Sequence, residues 1–136
     1  MGGYTLRRDI QDLDPVDMAY AAGFLDGEGY FSDRLRGGVE VKVDCVNPHP
    51  LLWLRDTFGG SLRRYSRRDP KCRTYWRWRV YGDPARALCL ALLPMFRIKR
   101  AEAEAIAFSK EYPHGTEMRR VMYERASKHR AAEYNQ

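Results

Sequence analysis

A stripe of small residues in the first predicted helix constrains this chain more than any other feature of its sequence. Ala19, Gly23 and Gly27 recur at every fourth position, so they share one face of a helix. Small residues at that spacing allow two helix backbones to approach closely. Phe24 and Leu25 lie off the stripe, and we expect them to face the domain's own core. The helix is therefore predicted to have two buried faces, one of which is left for the helix of a partner.

Capping signals and hydrophobic periodicity divide the rest of the chain into helices and strands. Asp14-Pro15 predicts a helix start, because an acidic N-cap and a proline at the first helical position are both typical there. Asp83-Pro84 has the same pattern and predicts a second helix start. The predicted helices cover residues 14–27, 50–58, 83–93, 100–112 and 116–133, and the predicted strands cover residues 30–36, 39–45, 61–68 and 72–81.

The predicted elements follow the order α-β-β-α-β-β-α, two further helices (100–112 and 116–133) come after them, and the fold class is α+β. Gly37-Gly38 predicts a two-residue turn in the first hairpin, and residues 69–71 supply the turn of the second. One four-stranded antiparallel sheet with helices on one face satisfies this order and leaves the other face open. We divide the chain into an N-terminal segment (1–13), a core domain (14–112) and a C-terminal helical extension (113–136).

Positive charge is concentrated in the second predicted hairpin. The chain carries a formal net charge of +6, and its basic residues are 19 arginines and 5 lysines. Between Ser61 and Tyr81 there are eight basic residues and a single acid, Asp69, so this segment carries +7. Tyrosines and tryptophans are interleaved with these charges. Basic residues alternating with aromatic ones are typical of a nucleic-acid surface.

The remaining composition excludes several classes of protein. Three scattered cysteines fit neither a disulfide framework nor a zinc site, and they suit a reducing compartment. His49, His114 and His129 are isolated, so the sequence offers no zinc or His-Asn-His constellation. No apolar run approaches the ~18–20 residues that a membrane span needs, and no signal peptide is evident. We therefore expect an intracellular protein, in the cytoplasm or nucleoid, that is not inserted in a membrane.

Two segments resemble the LAGLIDADG homing endonucleases. Residues 21–29, AAGFLDGEG, resemble the nine-residue signature of the family, with Ala21 at the opening Leu and Gly27-Glu28 at Ala-Asp. Residues 92–99, LLPMFRIK, resemble the segment that presents an active-site lysine in the family, and Lys99 falls at that lysine. The resemblance covers residues 15–112, in the order of elements as well as in the motifs.

The resemblance implies a metal-dependent enzyme that cuts double-stranded DNA. Glu28 and Lys99 would be catalytic, and Glu28 with Gly27 would bind Mg²⁺ or Mn²⁺. A single motif supplies half of an active site, so a homodimer on a nearly palindromic target is implied, with Ala19, Gly23 and Gly27 at the interface. Two adjacent carboxylates repel each other and favour divalent cations, which activate water at a phosphodiester.

The family fold lays its two hairpins in the major groove as a saddle, which a β-ribbon fits. Alternation along the strands predicts which side chains face DNA, although the phase of strand 61–68 is ambiguous because Arg63 and Arg67 lie on the opposite set. The predicted DNA-facing residues are Ser32, Arg34, Arg36, Lys42, Arg64, Arg68, Arg73, Tyr75, Arg77 and Arg79.

Three observations leave alternatives open. The family often has a polar residue that positions water near Cys45, so Asp44 would have to substitute for it. A non-cleaving binder on the same fold, an intron maturase or a DNA regulator, would retain Glu28 and Lys99 as remnants. Glu40-Val41-Lys42 also has the E-x-K form of restriction-like nucleases, with Asp33 or Glu28 as the upstream acid, but the α/β crossover helices of that fold are missing.

Overall fold

The computed structural model describes residues 12–34, 38–66, 68–69 and 71–111, with the backbone alone described at Arg34. Its helices are α1 (Pro15–Glu28), α2 (His49–Phe58), α3 (Gly82–Leu92) and α4 (Arg100–Ala107), and its strands are β1 (Tyr30–Arg34), β2 (Gly38–Cys45), β3 (Ser61–Tyr65) and β4 (Tyr75–Tyr81). Short 3₁₀ turns follow α3 and α4, at Leu93–Met95 and Ser109–Glu111. The predicted order of elements and the α+β class are confirmed. None of the helices in these ranges has the length and apolarity needed to cross a bilayer.

The four strands form one antiparallel sheet in the order β1-β2-β4-β3, so β2 and β4 lie at its centre. Among the described residues, helices cover one face only, as the sequence predicted. On that face Val39, Val41 and Val43 of β2 are buried beside Trp78 and Val80 of β4. Because side chains alternate along a strand, the residues between them point to the opposite, uncovered face. We call this uncovered side of the sheet the open face.

Helix α1 begins where the sequence predicted. The Asp14 side chain accepts a hydrogen bond of 2.7 Å from the backbone N–H of Val16, and Pro15 is the first helical residue. The helix ends with a hydrogen bond of 2.8 Å from the Gly29 N–H to the Leu25 carbonyl. Leu25 is fully buried and Phe24 packs against the core, as predicted. The helix therefore delivers its last residues directly to the start of β1.

Several predicted boundaries are wrong. Helix α3 begins at Gly82 rather than at an Asp83 cap, because Asp83 is engaged instead by Arg86 (2.9 Å) and Lys110 (2.7 Å). The second hairpin is shorter than expected, since β3 ends at Tyr65 and β4 begins at Tyr75.

In the first hairpin Gly38 pairs with Arg34 inside the sheet, so the turn is not the predicted two-residue Gly37-Gly38 pair. Helix α4 ends at Ala107 and continues as a 3₁₀ turn rather than as a helix to residue 112. The predicted helix 116–133 and most of the N-terminal segment lie outside the described residues.

Candidate active site and nucleic-acid face

The small-residue stripe of α1 is open to solvent. Ala19, Gly23 and Gly27 are all exposed. A Cβ atom added at Gly23 or Gly27 would meet nothing within 4 Å, so no described part of the chain covers this stripe. Val16, which is 74% exposed, and Tyr20, 49% exposed, extend the apolar surface beside it. The surface has the geometry required for a second helix to pack closely.

Asp26, in the last turn of α1, holds the segment that carries Lys99. Its carboxylate accepts hydrogen bonds from three consecutive backbone amides, those of Arg97 (3.1 Å), Ile98 (2.9 Å) and Lys99 (2.9 Å). Asp26 is buried. Sequence reasoning gave Asp26 no role, although an acid on the buried side of a helix is itself a signal that it has polar partners.

Lys99 reaches the end of α1 with its side chain as well. Its ammonium group donates a hydrogen bond to the carbonyl of Gly29, the residue that follows Glu28. Glu28 is exposed at the last position of α1. The structure therefore brings the two predicted catalytic residues to one place, although about seventy positions separate them in the sequence.

The oxygen atoms at this place suit a hard divalent cation. Mg²⁺ and Mn²⁺ are bound by carboxylates and carbonyls, which the C-terminal end of a helix provides beside Glu28. Within the described ranges, however, no three His, Cys, Asp or Glu side chains cluster as a complete metal site.

The strand register identifies the side chains of the open face. Tyr30 lies opposite Lys42, Lys42 opposite Arg79, and Arg79 opposite Ser61. Lys42, Arg77 and Arg79 are on this face, as predicted for DNA contacts. The described side chains of the open face are Tyr30, Ser32, Glu40, Lys42, Asp44, Ser61, Arg63, Tyr65, Tyr75, Arg77, Arg79 and Tyr81.

Arg64 is placed on the wrong face by the sequence prediction. Arg63 lies opposite Arg77 on the open face, whereas Arg64 lies opposite Trp76 on the helix-covered side. Arg64 is exposed because β3 is an edge strand. The physical reason is that Leu62, which packs against the core, fixes the phase of this strand, so Arg64 follows it to the same side.

The remaining predicted DNA contacts fall at the margins of the sheet. Arg68 and Arg73 are exposed in the connection between β3 and β4. The backbone of Arg34 belongs to β1, while Arg36 lies outside the described residues. Ser32 is on the open face but is only 8% exposed.

Arg77 is held at the centre of the open face by three neighbours. Its guanidinium donates to both carboxylate oxygens of Asp44, from Nε at 2.6 Å and from Nη2 at 2.9 Å. It also lies 5.0 Å from the ring centre of Tyr65 and 5.7 Å from that of Tyr75, within cation–π distance. The hydrogen bonds from Arg77 lower the pKa of Asp44, which keeps the pair ionised.

A groove of about 190 Å³ runs beside this pair. Three of the residues that line it are arginines, namely Arg63, Arg77 and Arg79. The others are Ser61, Tyr65 and Tyr81. Cationic forks and aromatic rings in one concave surface are well suited to phosphates and base edges.

Glu40 does not have the environment of an E-x-K nuclease acid. It is 2% exposed, and its closest charged neighbour among the described residues is Arg79, whose Nε lies 3.5 Å from Oε2. Asp33 pairs with Val39, so it projects from the helix-covered side while Glu40 projects from the open face. The two acids therefore do not converge on one cation.

A water-positioning residue was expected near Cys45, where the side chains of Asp44, Cys45 and Asn47 are all engaged within the protein. Cys45 is half-buried on the helix-covered side and packs against the core. Asp44, the possible substitute, is already paired with Arg77. Asn47, two residues further on, uses its side chain to accept a hydrogen bond of 3.0 Å from the His49 N–H at the start of α2.

Comparisons with known proteins bear on the fold. No protein-family profile matches this chain, and no curated protein matches its sequence. Among solved structures, it is similar to the homing endonuclease I-CvuI in complex with its target DNA in the presence of calcium, with a TM-score of 0.63 and 21% identity. It is also similar to I-CvuI in complex with the I-CreI target in the presence of magnesium, in which the DNA is not cleaved, with a TM-score of 0.60 and 20% identity. Both matches cover 82% of this chain and 80% of the other. The chain has the homing-endonuclease fold, as its nine-residue motif predicted.

Proposed function

We propose that this chain is a LAGLIDADG homing endonuclease that cuts double-stranded DNA as a homodimer. One observation carries the proposal: Lys99 is tied to the carbonyl of Gly29, beside an exposed Glu28, at the end of a helix whose small-residue stripe is uncovered. Two copies packed through that stripe would bring two Glu28 carboxylates together. The arginine-rich open face begins two residues later, at Tyr30.

Each residue has a distinct part in the proposed reaction. Glu28, with the helix-end carbonyl at Gly27, would hold Mg²⁺ or Mn²⁺, which supplies an activated water and charge stabilisation for phosphodiester hydrolysis. Lys99 places a fixed positive charge near the scissile phosphate. Asp26 keeps Lys99 in place through the three backbone amides. The arginines of the open face bind phosphates and base edges.

A cleavage-site selection tests the proposal. The purified chain is incubated with a library of long randomised DNA duplexes and Mg²⁺, and the cut ends are sequenced. The proposal expects cuts at one long, nearly palindromic site, with none when EDTA replaces Mg²⁺. Metal-independent cutting, or binding to a selected site without any cutting in Mg²⁺ or Mn²⁺, would contradict it.

The second candidate is a non-cleaving binder on the same fold, acting as an intron maturase or a DNA regulator. It is favoured by the environment of Cys45 and Asp44. Cys45 is turned to the core, and Asp44 is occupied by Arg77. Neither side chain is therefore available to position a water, so this candidate predicts tight, specific binding with intact DNA.

A further inference from the structure

The open face carries an acid where a DNA-binding surface is expected to avoid one. The Asp44 side chain is 42% exposed and lies on β2, one of the two central strands of the sheet. An uncompensated carboxylate there would repel DNA phosphates and weaken binding to any sequence. Its presence is accounted for if it improves recognition of one particular sequence.

Asp44 restricts how Arg77 can be used. A guanidinium has five N–H donors in a planar fork. Asp44 accepts from Nε and from one N–H of Nη2, which together form the side edge of the fork. The end edge, formed by Nη1 and the second N–H of Nη2, makes no hydrogen bond to any residue that the structure describes. Two parallel donors therefore stay available.

The plane of the guanidinium is fixed as well as its direction. Tyr65 and Tyr75 stack on each other with ring centres 5.4 Å apart and planes 13° from parallel. Both rings contact Arg77, from β3 on one side and from β4 itself. Held by a carboxylate and two rings, Arg77 loses little further rotamer freedom when it binds, which lowers the entropic cost of recognition.

From this geometry we propose that Asp44 is a positioning residue that holds the end edge of Arg77 for one guanine in each half of the target. Two parallel N–H donors match the O6 and N7 acceptors that guanine presents in the major groove, and no other base offers that pair. The inference rests on the proposed DNA binding, but it does not depend on cleavage. It assigns the recognition of guanine to Arg77 and explains why Asp44 lies beside that arginine.

Binding measurements without cleavage test this inference. The full-length chain is used with Ca²⁺, or with EDTA, to select a binding site from a randomised duplex pool. Each base pair of that site is then substituted singly, and affinities are compared among the wild type, Arg77→Ala, Asp44→Ala and Asp44→Glu. Arg55→Ala, on α2 outside the sheet, is the matched control for losing an arginine. Thermal melts show that each variant is folded, and Asp44→Asn replaces Asp44→Ala if the latter is not.

The expected pattern is specific to one position. In the wild type, substituting one guanine in each half-site lowers affinity by about 5- to 150-fold, the range for a bidentate arginine contact. Arg77→Ala removes that discrimination at that position and at no other. Asp44→Ala reduces it by about 2- to 10-fold, as expected for releasing one ordered side chain, while affinity for random duplex stays equal or rises. Asp44→Glu restores part of the discrimination, and Arg55→Ala leaves every preference unchanged.

Three results would overturn the inference. The first is that Arg77→Ala retains every guanine preference, and the second is that Asp44→Ala lowers the affinity for all duplexes equally. The third is that Asp44→Ala loses the preference for a cytosine elsewhere in the site, which would mean that Asp44 itself contacts a base. Failure to bind any duplex would sink both this inference and the proposed function. Guanine-dependent binding with no cleavage in Mg²⁺ would support the inference and contradict only the endonuclease.

Discussion

The carboxylate of Asp26 accepts a hydrogen bond of 2.9 Å from the backbone N–H of Lys99, across the junction between the end of α1 and the start of α4. Two neighbouring amides bond to the same carboxylate. The Lys99 side chain in turn bonds to the carbonyl of Gly29. The two halves of the candidate site are thus fastened to each other by backbone and side chain together, so the lysine is positioned before any DNA arrives.

Replacing Asp26 should damage catalysis through the position of Lys99. Asp26→Ala leaves three partly buried amides without their acceptor, which costs about 1–3 kcal/mol of stability. We expect urea denaturation to show that loss and a cleavage assay to show a much lower rate, with DNA affinity reduced far less. Asp26→Asn, which keeps one side-chain oxygen that can accept from these amides, is the conservative comparison and should lose less activity. Wild-type cleavage by Asp26→Ala would contradict the positioning role.

The stripe on α1 predicts a dimer that a single substitution can break. Gly23→Leu adds a bulky side chain where the monomer has open space, so each subunit should keep its fold, as circular dichroism would show. In a dimer, the same side chain would separate two helices that need close approach. Light scattering should then report a monomer, and double-strand cleavage should be lost.

Glu104→Leu, which adds an exposed leucine on α4 instead, should remain dimeric. A Gly23→Leu variant that still dimerises would exclude this stripe as the interface.

Gly60 lies between α2 and β3, where any side chain would collide with residues of β4. Its φ is +88°, and an added Cβ would lie 2.6 Å from the Arg79 carbonyl oxygen and 2.9 Å from Trp78 Nε1. That indole nitrogen donates to the Gly59 carbonyl at 2.8 Å and is buried. Gly60→Ala should therefore destabilise the fold by more than about 1 kcal/mol, measured by chemical denaturation.

Gly38→Ala is the matched control, because Gly38 also has a positive φ of +77° but open space around its Cβ position. It isolates the backbone strain from the steric clash. Equal losses in the two variants would show that the contacts at Gly60 are unimportant.

The Asp44–Arg77 pair should give a small acid-dependent contribution to stability. Arg77 lowers the pKa of Asp44 below its ordinary value of 3.8. A depressed folded-state pKa means that the contribution is complete above the ordinary value and is lost as the pH falls through the folded-state pKa. Because the carboxylate is partly exposed, the contribution is that of a surface pair, about 0.2–1 kcal/mol.

Chemical denaturation from pH 7 down to about pH 2 should therefore bring the wild type and Asp44→Asn together at the acid end. A constant difference across that range would contradict the pairing.

Local patterns predicted the fold well where one short-range rule was sufficient. The Asp14-Pro15 start, the alternation of valines in β2 and the burial of Trp78 follow from capping and from the period of a strand. The same rules failed where tertiary partners compete. Asp83 and Asp14 both precede a proline, but the Asp83 carboxylate pairs with Arg86 and Lys110 and does not cap α3.

The candidate site shows the same division. The motif located Glu28 and Lys99, since both have a recognisable local context. The role of Asp26 could not be predicted, because its partners are backbone amides about seventy residues away, which leave no trace in side-chain identity. The choice between Arg63 and Arg64 depends on how Leu62 packs, and only the three-dimensional register decides it.

The most direct test is the rate at which Glu28→Gln cuts the selected DNA site in Mg²⁺, measured at saturating protein so that binding is equal. Glu28 is exposed and makes no salt bridge to a described residue, so the variant should fold and bind DNA like the wild type. The account predicts stable dimers, unchanged affinity and no detectable double-strand cleavage. Cleavage at the wild-type rate would contradict it, because cleavage would then not depend on the pair of Glu28 carboxylates proposed to meet in the dimer.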